Sequence, residues 1–196
     1  KEALNIRKKA TGEDHPDYAI SLSNLALFYY DMGSYESAET LYLQALKINK
    51  AVFGEMHPGY ATTLNNMAEL YDAMGRYEEA EKLYLQALNI LNKVYGENQP
   101  DYASTLSNLA LLYQEGGFYE KAEPVYQQAL NIYLTQIQQQ FSFLSETEKE
   151  KYLAKILFFF KTYQNFILSQ QKSNPAIAGK LYDIELYSKG LLLNSD

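Results

Sequence analysis

Two histidines, His15 and His57, are the side chains of this sequence best suited to chemistry. Each precedes a proline, and 42 residues separate them, so the pair could be considered as metal ligands. Gln99 stands where the same spacing would place a third histidine, which favours a repeated turn over metal binding. The sequence has no cysteine, which excludes a cysteine nucleophile, and a serine nucleophile lacks partners because no Gly-x-Ser-x-Gly segment occurs and both histidines lie in the turns. We therefore predict no catalytic residues, no metal and no cofactor, and we expect that the chain is not an enzyme.

The spacing of 42 residues extends over most of the chain. The segment from His15 to Ala19 returns at 57–61 and at 99–103 without a gap. Other matched positions are Asn24, Asn66 and Asn108; Ala26, Ala68 and Ala110; Gly33, Gly75 and Gly117; and Tyr42, Tyr84 and Tyr126. A fixed period of this length predicts a stack of repeats, each of which buries its apolar face against its neighbours. The repeats span 15–56, 57–98 and 99–140. Residues 1–14 match the end of a repeat, so we interpret the chain as a fragment that opens halfway through a unit.

Each repeat has the pattern of two helices. In the first repeat, apolar residues at three- and four-residue spacing predict a helix over 17–32 with one core-facing stripe. Pro16 suits the start of this helix and Gly33 suits its end. The stripe consists of Leu22, Leu25, Ala26, Tyr29 and Met32. A second helix is predicted over 35–52, before Gly54, with Tyr35, Ala38, Leu41, Tyr42, Ala45, Leu46 and Ile48 on its buried side.

A different pattern follows Gln140. Ser145 and Glu148 have the spacing of a capping box, which predicts a helix to about Gln170. This helix is apolar on more than one side and so needs two packing partners. One apolar side carries Leu153, Ile156, Phe160, Tyr163 and Ile167. The other carries Leu157, Phe159 and Phe166. Asn174-Pro175 suits the start of a last helix to about Leu193, which would bury Leu181, Ile184, Leu186, Tyr187 and Leu191. We predict that 141–196 form a divergent helical hairpin. It would cap the array, leave apolar faces open around Phe158, Phe159 and 191–193, and lead into a downstream domain.

Composition and charge restrict the class of partner. Apolar residues make up 47% of the sequence and charged residues 21%, as in a folded soluble protein, and no apolar run is long enough to span a membrane. The net charge is −7, and 15–140 carry 15 Asp and Glu against 6 Lys and Arg. Such an acidic array is unsuited to nucleic acid or to an anionic membrane surface. We expect a cytoplasmic protein.

The repeat resembles the tetratricopeptide repeat. The residues that carry the resemblance in the first unit are Leu25, Ala26, Tyr29, Gly33, Tyr35, Ala38, Tyr42 and Ala45, and the same series is present in 67–87 and 109–129. Leucine replaces the family's usual Trp at Leu22, Leu64 and Leu106, and the closing Pro is absent. The long period resembles the subclass found in kinesin light chains and many bacterial proteins. The resemblance implies an all-α fold, a right-handed α-solenoid of antiparallel helix pairs.

The resemblance also implies that the first helix of each pair lines a concave groove. The positions it places there are Ser23, Asn24, Leu27, Tyr30 and Asp31; Asn65, Asn66, Glu69, Asp72 and Ala73; and Ser107, Asn108, Leu111, Gln114 and Glu115. Asn24, Asn66 and Asn108 could hold a peptide backbone through their amides, or they could satisfy nearby backbone groups and water. No Lys or Arg occurs in 17–32, 59–74 or 101–115. We therefore predict a basic or neutral peptide or protein segment as the partner, with apolar anchors on Leu27, Tyr30 and Leu111.

The C-terminal segment carries a second, shorter resemblance. Phe143-Leu144-Ser145, Glu148-Lys149 and the run from Leu186 to Leu193 are similar to the segment before a CHAT domain, a caspase-like cysteine protease domain of bacterial proteins. This implies the docking arm of a protease whose catalytic residues lie outside this sequence; the alternative is a generic helical cap.

The leading hypothesis is a protein-binding scaffold, the sensing or regulatory arm of a larger protein. A structural module that self-associates through the ends or outer helices of the solenoid remains open.

Overall fold

The fold is a row of helices joined by short turns. The computed structural model describes residues 6–7, 9–10, 12–140, 145–171, 177 and 179–180. Its complete helices are α1 (Pro16–Asp31), α2 (Tyr35–Phe53), α3 (Pro58–Ala73), α4 (Tyr77–Tyr95), α5 (Pro100–Glu115), α6 (Tyr119–Gln140) and α7 (Glu146–Gln170). No strand occurs among the described residues, and none of their helices is long and apolar enough to cross a membrane. The predicted all-α class is confirmed.

The His-Pro pairs begin the first helix of their repeats. The Nδ1 atom of His15 accepts a hydrogen bond from the Asp17 N–H at 3.1 Å, and Nδ1 of His57 accepts one from the Gly59 N–H at 3.0 Å. Each imidazole thus satisfies a backbone donor that has no partner within the helix, and the following proline has no N–H to satisfy. The predicted turn role is confirmed, and it explains why the two histidines recur.

Successive helix pairs stack to form a solenoid. Helices α1 and α2, α3 and α4, and α5 and α6 form hairpins, and α2 and α4 also pack against the first helix of the next pair. The first helices α1, α3 and α5 contact one another in turn, and α7 contacts α5 in the same way. The array therefore curves toward its first helices, and α7 takes the place of a fourth first helix.

Small residues at the helix crossings let the two helices of each pair approach one another closely. Ala26, Ala68 and Ala110 of the first helices are fully buried, as are Ala38, Ala80 and Ala122 of the second helices, and the tyrosines at 42, 84 and 126 fill the space beside them. The predicted stripe is wrong at Met32, whose side chain is 62% exposed. Met32 is the C-cap residue of α1 and lies past the last turn that faces the core.

Adjacent repeats are also joined by a polar contact that recurs with the period. Glu39 of α2 accepts hydrogen bonds from the hydroxyl of Tyr71 at 2.8 Å and from Nη1 of Arg76 at 2.9 Å. One repeat later, Glu81 accepts from the hydroxyl of Tyr113 at 2.6 Å and from Nζ of Lys121 at 3.0 Å. We call these two groups the first and second clamps. Each joins the second helix of one repeat to the following repeat.

Helix α7 packs on the third repeat. The backbone N–H of Ser145 donates to the Glu148 carboxylate at 2.9 Å, which confirms the predicted capping box. The Tyr126 and Tyr163 rings stack with their centroids 4.9 Å apart, and the buried side chains of Ile156, Phe160, Phe166 and Ile167 show that both apolar sides are covered. Phe159 was predicted to lie on an open face, but it is only 3% exposed because it packs against Tyr126 and Tyr133. The predicted final helix falls almost entirely outside the described residues, which include only Ile177, Gly179 and Lys180 of it. Ile177 is buried, and the Nζ atom of Lys180 pairs with Glu123.

Enlarging the crossing alanine should destabilise the stack. Ala26 is fully buried, and a leucine there would force the two helices apart. We expect Ala26→Leu to lower the free energy of unfolding by about 1–3 kcal/mol, as overpacking of a dense core does. Urea unfolding followed by circular dichroism measures the change. Ala51→Leu, at an exposed position of α2, is the matched control; equal losses in the two variants would contradict the close crossing.

Candidate functional site

The predicted site residues lie on α1, α3 and α5, the first helices that contact one another on the inner side of the solenoid, and we call the surface of these three helices the groove. Asn24, Leu27, Asp31, Ala73 and Glu115 are exposed. Ser23, Tyr30, Asn65, Asn66, Glu69, Asp72, Ser107, Asn108, Leu111 and Gln114 are partly buried. None of the predicted site residues is completely buried.

Carboxylates from different repeats come together in the groove. Burial raises the pKa of Tyr84, and the charges of Glu69, Asp72 and Glu115 raise it further. The pKa of Tyr30 is raised first by burial and then by Glu69. Two tyrosines from different repeats therefore share the field of the same carboxylates. The sequence predicted this acidic bias, and the structure concentrates it around Glu69 and Asp72.

Glu69 is held by amides from two helices. Its Oε1 atom accepts a hydrogen bond from Nδ2 of Asn65 at 2.9 Å and another from Nδ2 of Asn108, on α5, at 2.6 Å. Burial raises the pKa of Glu69, and these two hydrogen bonds act in the opposite direction. Because the donors are neutral amides, the carboxylate is fixed in place without having its charge cancelled.

Asp72 lies one helical turn further along α3. Its Oδ1 atom is buried and has no hydrogen-bond partner among the described residues. Burial raises the pKa of Asp72 to about 6, and the charges of Glu115 and Glu69 contribute to the rise. Desolvated carboxylates that repel one another favour a cation, because a positive group would relieve both effects.

The recurring asparagines differ in what they can offer a ligand. The amide of Asn108 donates to Glu69 and to Oδ1 of Asn65, the latter at 3.3 Å. Its N–H groups are therefore engaged between α3 and α5. Asn24 and Asn66 donate no side-chain hydrogen bond within the described part of the chain. The sequence could not distinguish the third asparagine from the other two, because only the fold brings Glu69 to it.

Other predicted site residues are also used within the protein. The side-chain Oε1 atom of Gln114 accepts a hydrogen bond from the hydroxyl of Tyr126 at 2.8 Å. The hydroxyl of Ser107 donates to the backbone carbonyl of Ala103 at 2.8 Å. Leu27, by contrast, is 43% exposed and can contact a ligand directly.

The C-terminal end of the groove carries a feature that sequence reasoning missed. A cavity of about 80 Å³ lies between α5 and α7, lined by Ser107, Asn108 and Leu111 on one side and by Lys155 and Phe158 on the other. Burial lowers the pKa of Lys155. Phe158 is 69% exposed beside it. The lysine lies beyond the repeats, and only the stacking of α7 as a fourth first helix places it here.

Comparison with known proteins identifies the repeat. A family model described as tetratricopeptide repeat matches residues 1–51, 19–93 and 59–135. The chain belongs to the tetratricopeptide repeat family. Tetratricopeptide repeats generally act as scaffolds for protein interaction, and their curved stacks offer extended concave surfaces. No curated protein matches the sequence closely enough to count as a relative.

Solved structures with the same fold include kinesin light chain-like proteins. A kinesin light chain-like protein of Podosopora anserina with nearly identical TPR-like repeats is 22% identical, with a TM-score of 0.66 over 96% of this chain and 84% of that one. BtubC (BKLC) from P. vanneervenii is 22% identical, with a TM-score of 0.64 over 95% and 78%. The apo form of RapI is 20% identical, with a TM-score of 0.58 over 98% and 75%. These similarities confirm the solenoid fold of tetratricopeptide repeats and its likeness to the kinesin light chain group.

The pH dependence of stability tests the environment of Asp72. A pKa of about 6 in the folded state, against an ordinary value of 3.8, means that the folded protein holds this proton more tightly than the unfolded chain does. The contribution of Asp72 to stability is therefore complete below about pH 4 and is lost as the pH rises through about 6. Asparagine has no such dependence. At pH 7 we expect Asp72→Asn to be more stable than the wild type by about 1 kcal/mol, a modest value because the carboxylate is partly exposed.

The measurement is urea unfolding of both proteins between pH 4 and pH 7. The advantage of the variant should shrink as the pH falls from about 6 to about 4. Asp14→Asn, which removes an exposed carboxylate outside the groove, serves as the control. A difference between Asp72→Asn and the wild type that stays constant over this range would contradict the assignment.

Proposed function

We propose that the groove binds a basic or neutral segment of a partner protein. The observation that carries this proposal is the group of Glu69, Asp72 and Glu115, whose charges act together on Tyr84, on an inner face whose helices α1, α3 and α5 contain no Lys or Arg. A lysine or arginine of the partner would relieve the repulsion between these carboxylates. Charge would steer the encounter and set the register of the bound segment more than its affinity.

Amides and apolar side chains supply the remaining contacts. The amides of Asn24 and Asn66 can pair with the backbone of the bound segment, whatever its sequence. Leu27, Tyr30 and Leu111 offer apolar surface along the same face, where side chains of the segment can be buried. Asn108 contributes indirectly, because it holds Glu69 in place. This division of roles supports binding of an extended segment rather than a small molecule.

Lys155 gives the groove a direction. It lies at the end formed by α5 and α7, beside Leu111 and Phe158, whereas the carboxylates lie on the repeats before it. A bound segment would place its basic residue over Asp72 and an acidic or neutral residue near Lys155. The groove therefore favours one orientation of the segment over the reverse.

Two wider hypotheses about the parent protein remain predictions. The resemblance to the segment before a CHAT domain depends on residues that lie mainly outside the described part of the chain, including 143–144 and 186–193. In that case the groove would be the sensing arm of a cysteine protease. A role in self-association through the ends of the solenoid also remains open, and sedimentation of the full parent protein at several concentrations would test it.

A peptide library tests the proposed function. We expect the wild-type chain to enrich peptides that carry a basic or neutral core flanked by apolar residues. The double variant Asn66→Ala with Asp72→Lys should lose this enrichment, because it removes a backbone contact and reverses the central charge. Glu120→Gln, which removes an exposed charge from α6, is the control and should keep it. No enrichment by the wild type, or the same enrichment by the double variant, would overturn the proposal.

Orientation can be tested with the peptides that this library yields. Lys155→Glu reverses the charge at the C-terminal end of the groove. We expect it to weaken, by about tenfold or less, the binding of peptides with an acidic residue at one end, and to leave their all-neutral counterparts nearly unchanged, since a partly exposed charge pair is worth about 1 kcal/mol. Isothermal titration of matched peptides measures the difference. Equal losses for both peptides would mean that Lys155 does not read the charge of the ligand.

A further inference from the structure

The two clamps between repeats are built from matched positions but filled differently. In the first clamp, the guanidinium of Arg76 lies over the ring of Tyr71, with its Cζ atom 3.9 Å from the ring centroid. The same group donates to Glu39 at 2.9 Å and, through Nε and Nη2, to both carboxylate oxygens of Glu79. A planar cation stacked on an aromatic ring and bonded to carboxylates thus occupies this clamp.

The second clamp keeps the carboxylate and the ring but lacks the arginine. Glu81 and Tyr113 correspond to Glu39 and Tyr71, whereas Phe118 takes the position of Arg76 and Lys121 that of Glu79. The ammonium of Lys121 reaches Glu81 at 3.0 Å and lies 5.0 Å from the Tyr113 ring centroid. A lysine ammonium is compact and cannot cover the ring or bridge two carboxylates as a guanidinium does.

An open cleft of about 390 Å³ remains at this point between the second and third repeats. Tyr77, Tyr113 and Phe118 form its aromatic walls, and Glu78 and Glu81 supply carboxylates. Tyr77 and Phe118 are exposed, whereas Tyr113 is only 7% exposed and has the Lys121 ammonium beside its ring. Glu79 also lines the cleft, but its carboxylate is engaged by Arg76. Glu78 is exposed and makes no hydrogen bond or ion pair within the described residues, and Glu81 uses only its Oε1 atom. The cleft thus combines aromatic faces with carboxylate oxygens that can still accept hydrogen bonds.

We propose that this cleft is a second binding site, separate from the groove, which takes an arginine side chain of a partner protein. The guanidinium would lie over Tyr113, as Arg76 lies over Tyr71, and would bridge Glu81 and Glu78. Phe118 would contact the methylene groups of the arginine. The Lys121 ammonium, within 5.5 Å of the Phe118 ring as well, shows that a cation is already accepted there, and the incoming guanidinium would displace it.

Arginine fits the cleft better than other side chains because of its shape and its charge. Arg76 pairs with Glu79 and Lys121 with Glu81, whereas Glu78 has no cationic partner among the described residues, so a neutral or acidic group gains less there. Guanidinium stacks on rings and bonds to carboxylates in its own plane, whereas ammonium does not stack. The first clamp holds such a group at the matching position.

Nuclear magnetic resonance with short peptides tests the proposal. The probes are acetyl-Gly-Arg-Gly-amide and its neutral isostere acetyl-Gly-citrulline-Gly-amide, titrated into the ¹⁵N-labelled chain. We expect the arginine peptide to shift the amide signals of Gly116, Gly117 and Tyr77, and the citrulline peptide to bind at least about tenfold more weakly, because it lacks the charge. Binding of both peptides with equal affinity, or no shift at these amides, would overturn the proposal.

Variants of the cleft make the test specific. Phe118→Arg should supply the missing guanidinium from within the chain, abolish the shifts caused by the arginine peptide and raise the melting temperature. Lys121→Gln removes the competing ammonium and should tighten binding of the peptide, which keeps the proposal testable if Phe118→Arg does not fold. Glu78→Gln should weaken binding, while Glu120→Gln, one repeat further on and outside the cleft, should not. Undiminished binding in Phe118→Arg, or weaker binding in Lys121→Gln, would contradict the proposal.

The groove variant Asp72→Lys separates this site from the proposed function. It should leave the shifts at Gly116 and Gly117 unchanged, since Asp72 does not line the cleft. Loss of library enrichment together with retained cleft binding would show two independent sites. Loss of both in Asp72→Lys would mean that the arginine peptide binds the groove, and the second site would be rejected.

Discussion

The close crossing of helices at buried alanines is the constraint on which the rest of the structure depends. Ala26, Ala68 and Ala110 of the first helices are fully buried, as are Ala38, Ala80 and Ala122 of the second helices, so the two helices of each repeat approach one another with almost no side chain between them. The tyrosines of the second helices then fill the wider spaces beside the crossings, as dense packing requires. The compact pairs stack with their first helices converging on the inner side, and polar side chains of α3 and α5 there come within hydrogen-bonding distance. The groove is a consequence of this convergence.

Convergence of the first helices also accounts for the electrostatics of the groove. Glu69 and Asp72 of one repeat and Glu115 of the next would be ordinary solvated carboxylates on isolated helices. In the stack Glu69 and Asp72 become partly buried, the charge of Glu115 acts on Asp72, and the pKa of Asp72 rises to about 6. Asn65 and Asn108 hold Glu69 between α3 and α5 with hydrogen bonds from neutral amides. The fold thus holds a destabilising group of carboxylates in place, and a cationic ligand is the partner that would gain most from it.

Features that depend on local sequence could be predicted, whereas contacts between repeats could not. The caps formed by His57 and Ser145 follow from residues within a few positions of each other, and so do the helix bounds. The pairing of Asn108 with Glu69 joins residues 39 apart, and no local pattern marks it. Lys155 was missed for the same reason, because its place in the groove depends on α7 stacking as a fourth first helix. The family resemblance supplied the inner face, but not which of its side chains are already engaged.

Departures from the period carry more information about binding than the period itself. A position that every repeat shares, such as the buried tyrosine at 42, 84 and 126, serves the packing common to all units. A position that changes marks a place where one unit does something the others do not. Arg76 becomes Phe118 at such a position, and the guanidinium that fills the first clamp has no counterpart in the second. If a repeat can close its own clamp with an internal arginine, a neighbouring repeat that has the ring and the carboxylate but no arginine at that position can accept one from a partner. In a stacked array, a binding site can therefore depend on which side chain one repeat has at a shared position, with the same backbone to support it.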